Sequence, residues 1–121
     1  MIRVEISNID ASRPGKIQVS LFHTPEGFPA NEKALRIVKI LPSPTVVTNF
    51  NNLAFGEYAI VVVHDENENG RMDMKWLPYP HPGEGYSISN NATSRTGPPK
   101  FDPAKFKLTT SNLTVRLVLS Y

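Results

Sequence analysis

Apolar and polar side chains alternate from the first residues: Ile2, Val4 and Ile6 interleave with Arg3, Glu5 and Ser7. A period of two puts one set on each face of a half-buried β-strand. Arg13-Pro14-Gly15 makes a turn, after which Ile17, Val19 and Leu21 form the core face of a second strand. The simplest pairing makes these two strands a hairpin. From His23 to Asn31, Pro25, Gly27 and Pro29 break any regular element, and Asn31-Glu32-Lys33-Ala34 is suited to capping one helical turn. Leu35, Val38 and Leu41 also fit helical spacing. The β-branched content of Arg36 to Leu41, with Pro42 just beyond, favours a strand there. Thr45 to Phe50 reads as a further strand.

The chain is organised around what comes next. After a turn over Asn51 to Tyr58 that leads into it, the central strand Tyr58 to His64 is almost wholly apolar. Tyr58, Ile60 and Val62 point one way, and Ala59, Val61 and Val63 the other. A strand apolar on both faces belongs in the middle of a covered sheet. The stretch from Leu77 to Pro99 is rich in proline and glycine and reads as irregular, with one short strand around Tyr86 to Ser89. Ala104 to Leu108 and Leu113 to Tyr121 look like a closing hairpin through Thr110-Ser111-Asn112. Leu113, Val115, Leu117 and Leu119 give the cleanest alternation in the chain. The expected fold is all-β: a single antiparallel β-sandwich over residues 1–121, with about seven or eight strands and a long irregular loop region over 65–100.

Composition narrows the function classes. At 121 residues with 40% hydrophobic and 20% charged residues, the chain can bury a real core and is neither disordered nor membrane-like. No apolar run approaches the roughly 18 residues of a spanning helix, so membrane insertion is not expected. The net charge of +2 is spread over single basic residues rather than a stripe, which argues against nucleic-acid binding. There is no cysteine, so disulfides, thiolate metal sites and cysteine nucleophiles are excluded. Met1 is followed directly by strand-like residues rather than a signal peptide. The expectation is therefore a cytosolic protein or a mature domain whose export signal was replaced by Met1.

The loop that follows the apolar strand carries the chemistry. It spells D-x-N-x-N-G-x-x-D from Asp65 to Asp73. Calcium takes six to eight oxygen ligands, and a loop can present every second residue inward. Asp65, Asn67 and Asn69 fall at positions one, three and five, Gly70 at the sharp turn, the Arg71 carbonyl at seven and Asp73 at nine. Glu66 and Glu68 alternate outward and would act only as a long-range field. Position twelve, a bidentate Glu in the helix-loop-helix motif, is Trp76 here, and Glu84 in Gly83-Glu84-Gly85 is the candidate closing carboxylate. Few carboxylates with neutral Asn ligands imply weak binding, on the order of 10⁻⁵ to 10⁻³ M. The same residues are also good turn formers without any metal.

Other readings compete. Trp76, Tyr79 and Tyr86 near the loop could stack a carbohydrate or meet a protein ligand, making any ion incidental. His64, His81 and Glu84 could form a metal-dependent hydrolase site. Against that, His64 and Asp65 are adjacent on a strand and face opposite ways, and His64 is better read as a strand-end residue hydrogen-bonding the loop. Ser89-Asn90-Asn91 is either a plain turn or a bridge that fixes the calcium loop.

Three runs together resemble a known family. They are F-x-x-L-x-x-G-x-Y-A-x-x-V-x-H-D-E-N-x-N-G-x-x-D (Phe50 to Asp73), E-G-Y-x-x-S-N-N-A (Glu84 to Ala92) and G-P-P-x-F-x-x-A-x-F-x-L (Gly97 to Leu108). The family is the bacterial domain of unknown function 2141. The resemblance implies a small exported β-sandwich of prealbumin-like or immunoglobulin-like type, periplasmic or secreted, with no established activity and no catalytic residues to carry over. Trp76-Leu77-Pro78-Tyr79 and Ser87-Ile88 depart from its usual pattern. The combined expectation is a non-enzymatic calcium-binding module.

Overall fold

The computed structural model describes residues 1–29, 33–66, 85–92 and 100–121, together with the backbone of two short strands, Met74–Lys75 and His81–Pro82. Among the described residues, eight strands build two sheets. In the first, β1 (Ile2–Ser7) lies between β4 (Val46–Phe50) and β10 (Leu113–Val118). In the second, the order is β3 (Arg36–Ile40), β2 (Lys16–Phe22), β5 (Gly56–Asp65) and β8 (Tyr86–Ile88), with β9 (Phe106–Leu108) also pairing with β5. The strands β6 (Met74–Lys75) and β7 (His81–Pro82) pair with each other.

The core between the sheets follows from the period-two pattern. Ile2, Val4 and Ile6 from β1 meet Ile17, Val19 and Leu21 from β2 and Tyr58, Ile60 and Val62 from β5, with Leu117 and Leu119 closing one side. The opposite face of the second sheet is covered as well. Phe22, Ala59, Val61, Val63 and Ile88 pack with Ala92, Phe101 and Ala104, the last two from a single helical turn, α1 (Phe101–Ala104). Every residue of β5 from Tyr58 to Asp65 is buried. The alternating assignment of Tyr58/Ile60/Val62 and Ala59/Val61/Val63 to opposite faces therefore holds. So does the all-β sandwich.

Two expected hairpins are not hairpins. β1 and β2 face each other across the core in different sheets, because Asn8 to Gly15 is long enough to cross the roughly 10 Å between sheets. Asn8 helps to turn the chain out of β1 with a φ of 60°. The partners of β1 are instead β4, antiparallel, and β10, parallel, with Ile2 opposite Leu113 and Ser7 opposite Val118. That pairing also departs from an antiparallel sandwich. Likewise β9 and β10 separate: β9 extends the edge of β5, with Tyr58 opposite Phe106, while β10 joins the other sheet. Ala104, expected in a strand, closes α1, whose single turn accommodates Pro103. The strand reading of residues 36–41 holds, while the capped turn at Asn31 to Ala34 falls partly outside the described residues.

The ladder between β5 and β8 is extended at both ends by groups outside regular pairing. The His64 N–H donates to the Gly85 carbonyl at 2.8 Å. At the other end the chain turns into a 3-10 turn (Ser89–Asn91), and the Ser89 hydroxyl accepts from the Ile60 N–H at 3.0 Å where a strand carbonyl would otherwise stand. The same hydroxyl donates to the Ala104 carbonyl at 2.7 Å, and the Asn90 amide donates to the Lys105 carbonyl at 2.7 Å. Ser89 and Asn90 thus fasten the end of α1 beside the central strand.

Two stability outcomes follow. Ile60→Ala empties a fully buried site and is expected to cost about 2–5 kcal/mol in urea denaturation. Ser89→Ala leaves the Ile60 N–H unpaired in the interior and leaves the Ala104 carbonyl only its longer bond from the Asn90 amide, at 3.3 Å. Its expected cost is about 1–3 kcal/mol, read the same way.

Candidate cation loop

The sheet delivers Asp65 to a defined place. It is the last residue of β5, opposite Lys16 of β2, and only 3% exposed. It follows Ala59, Val61 and Val63 on the outer face of the sheet, whereas His64 lies on the core face, as the alternation requires. The turn before β2 presses on the chain at this point. Gly15 sits at a φ of +87°, and a Cβ there would run into the Asp65 carbonyl oxygen and the Glu66 Cα. The chain then leaves the sheet at Glu66 and is back at Gly85, within hydrogen-bond distance of His64.

The remaining expected ligands Asn67, Asn69, Arg71, Asp73 and Glu84 lie outside the described residues, as do Glu68, Gly70, Trp76 and Tyr79. Among the described residues no three His, Cys, Asp or Glu side chains converge on one point. Glu66, expected to face outward as a distant charge, instead makes an ion pair: its carboxylate lies 3.2 Å from Arg13 Nη1.

His64 is fully buried, and both ring nitrogens are occupied. Nε2 lies 2.9 Å from the Pro14 carbonyl, which can only accept, so the proton resides on Nε2. Nδ1 is then the acceptor for the Tyr121 hydroxyl at 2.7 Å. The Tyr121 oxygen in turn accepts from the Asp10 N–H at 2.9 Å. The Arg13 guanidinium carbon stands 4.4 Å from the centre of the Tyr121 ring while its Nε donates to Asp10 at 3.1 Å. A hydrolase built on His64, His81 and Glu84 would have to displace the Tyr121 hydroxyl from His64 Nδ1, and His81 and Glu84 have no described side chains. Ser89 and Asn90, weighed as a bridge to the loop, bond to the Ala104 and Lys105 carbonyls at the end of α1, and the loop side of that bridge lies outside the described residues.

Charge and burial set the acidities of this cluster. Hydrogen bonds from Ser12 and then Arg13 lower the Asp10 carboxyl below its ordinary range, and Asp10 and Glu66 hold Arg13 more firmly protonated. Burial raises the Tyr121 phenol, against the pull of the Asp10 N–H and Arg13. Sequence reasoning passed over Asp10, Arg13 and Tyr121. The available signals were Asp10-Ala11-Ser12, which can form an Asx-turn, and a histidine on the core face of an apolar strand, which requires partners for both nitrogens.

The Tyr121 shift has a pH consequence. The folded phenol holds its proton more tightly than the unfolded one, so its contribution is complete below the unfolded value of about 10 and is lost as pH rises through the raised folded value. Melting temperature is expected to fall more steeply above about pH 10 in the native chain than in Tyr121→Phe, measured by circular dichroism across that range.

No helix among the described residues is long and apolar enough to cross a membrane. Comparison with curated proteins and with solved structures returns no match. Comparison with protein families does: the profile described as "Uncharacterized protein conserved in bacteria (DUF2141)" matches residues 4–116. That span takes in both sheets and the whole segment from Asp65 to Gly85, and the chain belongs to this bacterial family.

Proposed function

We propose that this domain is a non-enzymatic calcium-binding module of the periplasm or the cell exterior. Asp65, Asn67, Asn69, Asp73 and the Arg71 carbonyl would hold the ion, with Glu84 closing the shell. The observation that carries this reading is the position of Asp65. It is a buried carboxylate at the end of a strand packed on both faces, where the chain leaves the sheet and returns at Gly85.

That placement suits the chemistry. The first ligand of a calcium loop is effective when its backbone is fixed before the ion arrives, because ordering costs are then already met by the fold. The spacing of Asn67, Asn69 and Asp73 supplies hard oxygen donors from the same closed segment. The missing Glu at position twelve makes the site weak, which fits a compartment holding millimolar calcium better than a cytosolic sensor. The role of the ion is to order the segment between β5 and β8, and the ordered segment is the surface that a carbohydrate or protein ligand would meet.

Calcium stabilises whatever state binds it. At a hundred times the dissociation constant the gain is about 2.7 kcal/mol. Millimolar calcium is therefore expected to raise the melting temperature of protein stripped with chelator, magnesium to do so less, and Asp65→Asn to blunt the rise. An unchanged melting curve in saturating calcium would remove the proposal.

A further inference from the structure

We propose that Tyr121 is the positioning residue of the cation loop: it ties together the two ends of segment 67–84 and thereby presets Asp65 for the ion. The second half of this inference rests on the calcium reading above.

The described residues that bracket the segment are Glu66 and Gly85, and the Tyr121 ring is connected to both. Gly85 lies directly beneath the ring, where a Cβ would collide with three of its carbons. Glu66 is ion-paired to Arg13, whose guanidinium is seated on the ring 4.4 Å from its centre. The hydroxyl donates to His64 Nδ1, and the His64 backbone N–H closes the loop on the Gly85 carbonyl. On the opposite side, His64 Nε2 and the Asp65 backbone meet Pro14 and Gly15 of the same turn that supplies Arg13 and Asp10. One aromatic ring thus joins the outgoing chain, the returning chain and the turn against which Asp65 rests. Ser120 adds a fixed anchor for the ring, since its backbone exchanges two 2.9 Å hydrogen bonds with Tyr86, the residue after Gly85.

Groups that orient metal ligands without touching the metal change affinity about 10–100-fold when removed. A residue that only contributed to overall stability would leave the affinity of the folded protein unaltered. The two roles separate experimentally.

Tyr121→Phe keeps the ring on Gly85 and under Arg13 but removes the hydroxyl. Titration calorimetry with calcium chloride alone is expected to show binding weakened about tenfold in Tyr121→Phe and further in Tyr121→Ala. Binding should be unchanged in the control Ile2→Val, which loosens the core in β1. Amide exchange on calcium-free protein is the second readout: His64 and Tyr86 should exchange faster in Tyr121→Phe, and Val4 and Ile6 should not. Equal weakening by Ile2→Val, or unaltered calcium affinity in Tyr121→Phe, overturns the positioning role. If the native chain binds no calcium, the calcium reading and the presetting of Asp65 fail together. The exchange result then decides the tie between the loop ends, faster exchange at His64 and Tyr86 upholding it and unchanged exchange removing it.

Discussion

Everything else in this fold is arranged around burying β5 on both faces. A strand so apolar cannot stand at a surface, so each of its faces needs a cover and each edge a partner. The sandwich core covers one face. The other is covered by Phe22 and Ile88 from its own sheet, with Ala92 and the short helix α1. One edge is met by β2 along most of its length, and the other is shared by β9 and β8. Where β8 ends, the hydroxyl of Ser89 continues the hydrogen bonding, so a single small polar side chain reconciles the end of a strand with a buried amide.

The same constraint accounts for the polar end of the strand. As β5 leaves the core its side chains turn from valine to His64 and Asp65, both still buried. A buried imidazole is costly unless both nitrogens are satisfied. Pro14 and Tyr121 satisfy them, and in doing so they draw in the turn before β2 and the residue that follows Ser120. Asp10, Arg13 and Glu66 then surround the outer side of that ring. The polar cluster is thus the physical continuation of the apolar strand, and it marks the point from which the acidic, asparagine-rich segment departs.

Much of this was legible in the sequence wherever local pattern decides the outcome. The period of two in Ile2–Ile6 and Ile17–Leu21 identified the core faces, and the double-sided run at Tyr58–His64 identified the central strand. Pairing was not legible, because alternation says which face is buried and nothing about which strand lies alongside. Hence β1 and β2, adjacent in the chain, were assigned to one hairpin when they oppose each other across the core. The β9–β10 assignment failed for the same reason, and α1 was hidden because a single turn containing Pro103 carries no helical period. In the candidate site Asp65 was legible from its motif. Tyr121 was not, since its contact with His64 spans 57 residues and depends on how the sheets close.

The parallel pairing of β1 with β10 gives the domain an order of assembly. A nascent polypeptide emerges from its amino end, and contacts between residues far apart in the chain form late and slowly. Ile2 must wait for Leu113 before its outer edge is covered, and until then β1 and β4 stand as an incomplete ribbon with an open side that could capture a stray strand. The bilayered body therefore closes when β10 docks, and within this domain the strand made first depends on the one made more than a hundred residues later.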